Sequence, residues 1–232
     1  MMKFIKYLTF ILLIITFSCS SKPNFSNESI PEKISVTRTK SGYMINPLCY
    51  DMKTGFIFYP GGLVEAEAYI PQMSKIALES NIAVFIVKMP LNLAVFNQNG
   101  AKKVLKEFDY INDWYIGGHS LGGVMATSYL QKNPSVFSGL ILMASYPTEK
   151  MSISNLNIKV LSIKGSDDGL VLNSDIDSSK YLLPKDTIYI TIPGGNHAKF
   201  GSYGEQKGDN PGTISEFEQH QQVSIAVKQF LK

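Results

Sequence analysis

From residue 55 onward, short unbroken apolar runs alternate with segments of helical spacing. Residues 55–59 (GFIFY), 82–87 (IAVFIV), 114–117 and 139–144 are the apolar runs, and 159–164, apolar between two lysines except for Ser162, joins them. Each is too short for a helix and reads as a strand covered on both faces. Residues 65–80 have helical spacing, with Ala68, Ile76 and Ala77 among the inward positions. Residues 101–108 and 121–131 also read as helices, residues 175–182 as a short helix, 187–192 as a further strand and 213–230 as a closing helix. Ahead of these, residues 35–39 and 43–46 predict two short antiparallel strands joined by a turn at Ser41-Gly42. Strand and helix in alternation predict an α/β fold. Its central sheet is mostly parallel, with right-handed crossovers and helices on both faces. In such sheets ligands sit at the carboxyl ends of the strands.

The first 33 residues follow a different pattern. Lys3 and Lys6 precede an apolar run over residues 7–17 that is broken only by two threonines, and Ser18-Cys19-Ser20-Ser21 follows. Basic residues, an apolar run and small residues are the pattern of a secretory signal peptide, here residues 1–18. The run is too short for a comfortable membrane span. A cysteine at that point resembles the lipobox of bacterial lipoproteins, in which the cysteine becomes the lipidated first residue. Ser18 fits that pattern; Thr16 and Phe17 depart from it. The expectation is a protein exported to a bacterial cell envelope and held on the membrane by a lipid on Cys19. Residues 19–33, polar and containing Ser, Asn, Pro and Glu, read as the tether, and residues 34–232 as the domain. Cys49 is the only other cysteine. Its apolar neighbours suggest a small buried hydrophobe.

Composition narrows the function classes. The chain has 232 residues, 44% of them hydrophobic, enough for one α/β domain with its own core. The formal net charge is +3, and the lysines are scattered. With no basic block, nucleic acid is not an expected partner. No internal repeat or low-complexity tract is present.

Candidate chemistry centres on Gly118-His119-Ser120-Leu121-Gly122, a Gly-x-Ser-x-Gly sequence between an apolar strand and a helix. A serine that attacks a carbonyl has to project from a strained strand-to-helix turn. Small residues two places before and after it let strand and helix approach each other. The helix N-terminus then presents a backbone N–H to a developing oxyanion.

A nucleophilic Ser120 requires an acid and then a histidine, each after a later strand. Three histidines exist. His119 is too close to Ser120 to act as its base, and His220, among Gln219, Gln221 and Gln222, reads as a solvated helix residue. His197 remains, after strand 187–192 and the loop Pro193-Gly194-Gly195-Asn196. The acid comes from Gly165-Ser166-Asp167-Asp168, where the spacing favours Asp168 and gives Asp167 a role in the turn. Oxyanion donors are expected from the N–H of Leu121 and from the glycine-rich turn Tyr59-Pro60-Gly61-Gly62-Leu63. In that turn Gly62 is the candidate and Leu63 the alternative.

Together these segments resemble the α/β-hydrolase superfamily, and more narrowly the small lidless serine hydrolases distantly akin to dienelactone hydrolases. The resemblance rests on Tyr59-Pro60-Gly61-Gly62, Lys88-Met89-Pro90-Leu91-Asn92, the elbow through Gly123, Ala144-Ser145-Tyr146-Pro147, Gly165-Ser166-Asp167-Asp168 and Gly194-Gly195-Asn196-His197. It spans residues 55 to the C-terminus. It implies Ser120 as nucleophile, Asp168 as acid and His197 as base, with no cofactor and no metal. Two departures matter. Dienelactone hydrolases carry cysteine where Ser120 stands, so their substrate does not transfer. Many members have His-Gly in place of Pro60-Gly61.

The expected activity is hydrolysis of small carboxylic esters through an acyl-enzyme, by a monomer. The alternatives are an acyltransferase on the same triad and a binding lipoprotein on a non-catalytic scaffold. Too few residues lie between strands 139–144 and 159–164 for a large lid. Expected pocket walls are residues 63–68, 91–96, 146–147 and 200–203, with Ala94 facing the substrate.

Overall fold

Phe56, Ile57, Phe58 and Tyr59 alternate between the two faces of one sheet, and all four are fully buried. That double burial is what the unbroken apolar runs encode. In the computed structural model, which describes residues 20–26, 29–48 and 52–232, eight strands form a single sheet. They are β1 (Ile34–Arg38), β2 (Gly42–Pro47), β3 (Thr54–Tyr59), β4 (Ala83–Val87), β5 (Asp113–His119), β6 (Gly139–Met143), β7 (Lys159–Gly165) and β8 (Ile188–Ile192). Their spatial order is β1-β2-β4-β3-β5-β6-β7-β8. The β1–β2 and β2–β4 pairings are antiparallel, and all the others are parallel.

Helices α1 (Ile70–Ser80), α2 (Gly100–Glu107), α3 (Leu121–Lys132), α4 (Asn173–Ser179) and α5 (Glu216–Phe230) follow the strands. One face of the sheet packs Phe56, Phe58, Val84, Ile86, Ile141 and Ile163 against α1 and α5. The other packs Ile57, Phe85, Trp114, Ile116, Leu140 and Leu142 against α2 and α3. The helical positions Ala68, Ile76 and Ala77 are buried, as their spacing requires.

Where boundaries moved, local chemistry explains the shift. The segment 65–80 is not one helix. Ala66–Tyr69 forms a 3-10 turn, and the α-helix starts at Ile70 with Pro71 in its first turn, where a missing N–H costs nothing. The closing helix starts at Glu216 rather than residue 213. Ser215 caps it: its Oγ accepts from Glu218 N at 3.2 Å, and Glu218 Oε2 accepts from Ser215 N at 2.8 Å. Between β6 and β7 the only helical piece is the 3-10 turn Glu149–Met151, so no large lid covers the sheet edge. Among the described residues, no helix is long and apolar enough to cross a membrane. Cys19 and Cys49 lie outside the described residues.

His220 corrects the reading of α5. It is buried, not solvated, with 2% exposure, on the face of α5 that meets α1, where Gln72 Nε2 donates to its backbone carbonyl. Gln219 is buried too, because its side chain bonds the backbone of Asn196 at both N and O. Burial, with the nearby Lys75 charge adding to it, holds the His220 imidazole down at a pKa of about 3.

A pH effect follows. The folded chain keeps His220 neutral, whereas the unfolded chain protonates it near 6.5. The folded pKa is the lower one, so acid favours the unfolded state and stability falls as pH drops from about 6.5 toward 3. The loss approaches about 1.4 kcal/mol per pH unit for this one group. His220→Gln should flatten the acid side of a stability-versus-pH curve from urea unfolding. An unchanged slope would show that His220 does not set it.

Candidate active site

The elbow is a backbone junction too tight for side chains. A Cβ on Gly118 would sit 2.5 Å from the Tyr59 carbonyl oxygen, and one on Gly122 would sit 2.1 Å from the same atom. The first turn of α3 therefore lies directly on the end of β3. Ser120 takes φ 51° and ψ −124°, a backbone conformation that side-chain-bearing residues rarely adopt. Its surroundings over-determine it. Ser120 N donates to Met143 O at 3.0 Å, and Ser145 Oγ donates to Ser120 O at 2.8 Å. Ala144, between those two anchors, also has a positive φ of 46°. This accounts for the Ala144-Ser145 pair singled out in the sequence.

On the far side of β6, the ends of β7 and β8 bring the acid and the histidine together. His197 Nδ1 lies 2.9 Å from Asp168 Oδ2, and both side chains are buried. The other Asp168 oxygen accepts from Leu170 N at 2.9 Å and Val171 N at 2.7 Å. A carboxylate held by two backbone donors can orient an imidazole without turning away. With Nδ1–H donated to Asp168, the Nε2 lone pair of His197 is left for another partner. Asp167 faces elsewhere, its Oδ2 accepting from Thr213 Oγ1 at 3.1 Å. Thus Asp168 contacts His197, and Asp167 ties its turn to the loop before α5.

The glycine-rich turn after β3 meets the start of α3. A Cβ on Gly62 would lie 3.1 Å from Leu121 Cδ2 and 3.7 Å from Leu93 Cδ2, which puts Gly62 beside Leu121. Leu121 and Gly122 begin the helix, where N–H groups have no acceptor within it. The neighbouring N–H groups of the turn are already committed. Gly61 N donates to Tyr69 Oη at 3.0 Å and Leu63 N to Asn92 O at 2.7 Å. Of the two sequence candidates, Leu63 is therefore occupied. Leu63 has φ 61°, so this turn, like the elbow, is strained.

Ala94 is not a pocket wall. It is fully buried in the core between α2 and α3, as Phe200 is on the other face. Within residues 91–96, Leu91 and Phe96 are exposed and Leu93 borders Gly62.

Two further groups escaped sequence reasoning. His119 is buried, with its ring 4.5 Å from that of His197 and stacked on Phe200 at 5.4 Å. Tyr69 Oη accepts from Gly61 N at 3.0 Å and shares a hydrogen bond with His119 Nδ1 at 2.8 Å. Burial, then the nearby His197, push the His119 pKa well below the ordinary histidine value. A neutral ring thus links the elbow to the turn after β3. The second group is Asp209. Its Oδ1 accepts from Gly169 N at 2.9 Å and its Oδ2 from Ala198 N at 2.8 Å. These donors are the residues immediately after Asp168 and His197, so one carboxylate fastens the two loops together. An acidic residue in a polar loop carries no signal of this in the sequence.

Asp209→Asn retains the shape and converts one acceptor into a donor, leaving one N–H without its partner. The expected cost is about 1–3 kcal/mol in urea unfolding. A cost below about 0.5 kcal/mol would mean that the loops hold without it.

Comparison with known proteins agrees with this geometry. No curated protein matches the chain. Among solved structures, an esterase/lipase from an uncultured bacterium superimposes with a TM-score of 0.62 at 12% identity, covering 90% of this chain and 86% of that one. A predicted CIB-like hydrolase from Thermoplasma acidophilum gives 0.59 at 13% identity, with 84% and 99% covered. Est1E from Butyrivibrio proteoclasticus, bound to ferulic acid, gives 0.54 at 16% identity, with 78% and 91% covered. At these identities the likeness is one of fold. The sequence model of the alpha/beta hydrolase family matches residues 55–221, the span that holds the elbow, the acid and the histidine. The chain belongs to the alpha/beta hydrolase family and is an enzyme of hydrolase type.

Proposed function

We propose that this protein is a serine carboxylic-ester hydrolase that works through Ser120, His197 and Asp168. The buried contact between His197 and Asp168, across the sheet edge from a serine held in a strained elbow, is the observation that supports this most strongly. Ser120 Oγ attacks the ester carbonyl as His197 Nε2 takes its proton. Asp168 holds the imidazole in the required tautomer and stabilises its charged form. The N–H groups of Gly62 and Leu121 receive the developing oxyanion. The C–O bond then breaks, His197 protonates the departing alcohol, and an acyl-Ser120 remains. Water, deprotonated by His197, releases the carboxylic acid and restores the serine.

The site requires no cofactor for this sequence of steps. Among the described residues, no group of three or more His, Cys, Asp or Glu is arranged to hold a metal ion. The short β6–β7 connection leaves water free to reach an acyl-enzyme, which favours hydrolysis over acyl transfer. An uncapped site is open to small esters. The leader pattern of residues 1–19 supports export and attachment to a bacterial membrane through a lipid on Cys19.

Ser120→Ala should lower ester turnover by roughly 10⁴–10⁶-fold with the fold intact, and it should abolish labelling by a fluorophosphonate. Undiminished turnover would reject the nucleophile. The two adjacent carboxylates should separate clearly. Asp168→Asn is expected to cost about 10³–10⁴-fold in kcat, as loss of the orienting acid does in other triads. Asp167→Asn should leave kcat within about tenfold, since it removes only a turn contact. Equal losses in steady-state kinetics would reverse the assignment.

A further inference from the structure

The segment expected to act as a spacer is docked on the rim of the site. Ser21 N donates to Leu63 O at 2.7 Å, and Glu65 N donates back to Ser21 O at 3.1 Å, forming a short parallel bridge to Val64. Ser20 Oγ donates to the same Leu63 carbonyl at 3.1 Å and accepts from Asn92 Nδ2 at 2.6 Å. Farther on, Asn24 N donates to Ser202 O at 2.7 Å, and Phe25 and Ile30 pack against the core. Residue 20 is thus bonded to the residue that follows Gly62, and to the loop that holds Leu63 from the other side.

The same rim exposes large apolar side chains. Leu91 is 77% exposed and Phe96 59%, and the first of them adjoins the asparagine that grips Ser20. Phe96 closes a 3-10 turn, Ala94–Phe96, that packs on the elbow helix α3. Outside the described residues the chain runs back through residue 19 to the apolar run 7–17. Successive Cα atoms are about 3.8 Å apart, so an anchor on residue 19 has no slack.

We infer that this docked N-terminal strap holds the Leu91–Phe96 rim against the membrane, so that the site draws on esters carried by membrane-borne amphiphiles. The inference rests on the esterase and anchoring proposed above and adds the substrate class. An ester whose acyl or alcohol part partitions into the bilayer is confined to the plane in which the mouth of the site lies, which raises its effective concentration there. Dissolved short esters reach the same open site, but only from bulk solution.

The test uses the full chain in phospholipid vesicles and two esters of one chromophore: a water-soluble butyrate, and a long-chain ester that resides in the bilayer. One variant carries about twenty Gly and Ser residues between Cys19 and Ser20. This leaves the strap docked but adds a coil of about 25 Å between anchor and domain. The expected result is at least a roughly tenfold fall in turnover of the bilayer ester with turnover of the butyrate unchanged. A second readout is Phe96→Trp, against the single native and buried Trp114. Brominated lipid should quench the new tryptophan in the short-tether protein and lose that effect in the spacer variant. Equal turnover of the bilayer ester with and without the spacer overturns the inference. So does an unquenched indole in the short-tether Phe96→Trp protein, or a protein that does not sediment with vesicles. Failure to hydrolyse either ester, with no fluorophosphonate labelling, defeats the esterase reading instead. Quenching still reports on docking in that case.

Discussion

The backbone contact between the start of α3 and the end of β3 constrains everything at the catalytic edge. The Tyr59 carbonyl lies where a Cβ of either Gly118 or Gly122 would have to go. Strand, turn and helix must therefore meet almost backbone to backbone, and Ser120 is left at φ 51° with no easier conformation available. Residues held in such regions cost on the order of 1–3 kcal/mol each. Leu63, Leu91, Asn92 and Ala144 also have positive φ, and none of them is glycine. They all lie in the loops at this end of the sheet. The two cores on either side, from β3 through β7, hold these strained loops in place.

Polar side chains then fasten one loop to the next. The Tyr69 hydroxyl joins Gly61 to His119, Ser145 supports Ser120, Gln219 holds Asn196 from both sides, and Asp209 links the residues after Asp168 and His197. Most of these groups are buried, and their bonds offset the cost of desolvation. Burial keeps the His119 and His220 rings neutral.

The parallel core was legible because a strand covered on both faces has to be apolar at every position. Residues 55–59, 82–87 and 139–144 could hardly read otherwise; these and 159–164, which carries Ser162 and a lysine at each end, differ from the observed strands by one residue at an end. The start of α1 was less legible, since Pro71 rather than the apolar spacing decides where the α-helix begins. For α5 a local signal did exist. The Ser215-x-x-Glu218 capping box marks the start at Glu216, which spacing alone put three residues early. His220 was misread because polar neighbours suggest solvent, whereas Gln219 is polar in order to bond a loop backbone inside the molecule. The contact of Asp168 rather than Asp167 with His197 followed from spacing after a strand end. Asp209 could not be found this way, because a contact across 40 residues of chain leaves no local pattern. Nor did composition reveal that residues 20–26 are docked. Backbone N–H and C=O groups make most of those bonds, and they are the same in every residue.

The position of Asp209 also affects the order in which the molecule is made. The sheet through β7, the elbow and Asp168 all lie before residue 170, and His197 follows Asp168 by 29 residues. The carboxylate that binds their two loops, and the helix α5 whose Gln219 supports the loop before His197, come last. A chain synthesised from its N-terminus therefore has a serine elbow well before it has an aligned acid and base. The residues that fasten the Asp168 and His197 loops to each other and to the rest of the fold are thus the last to be made.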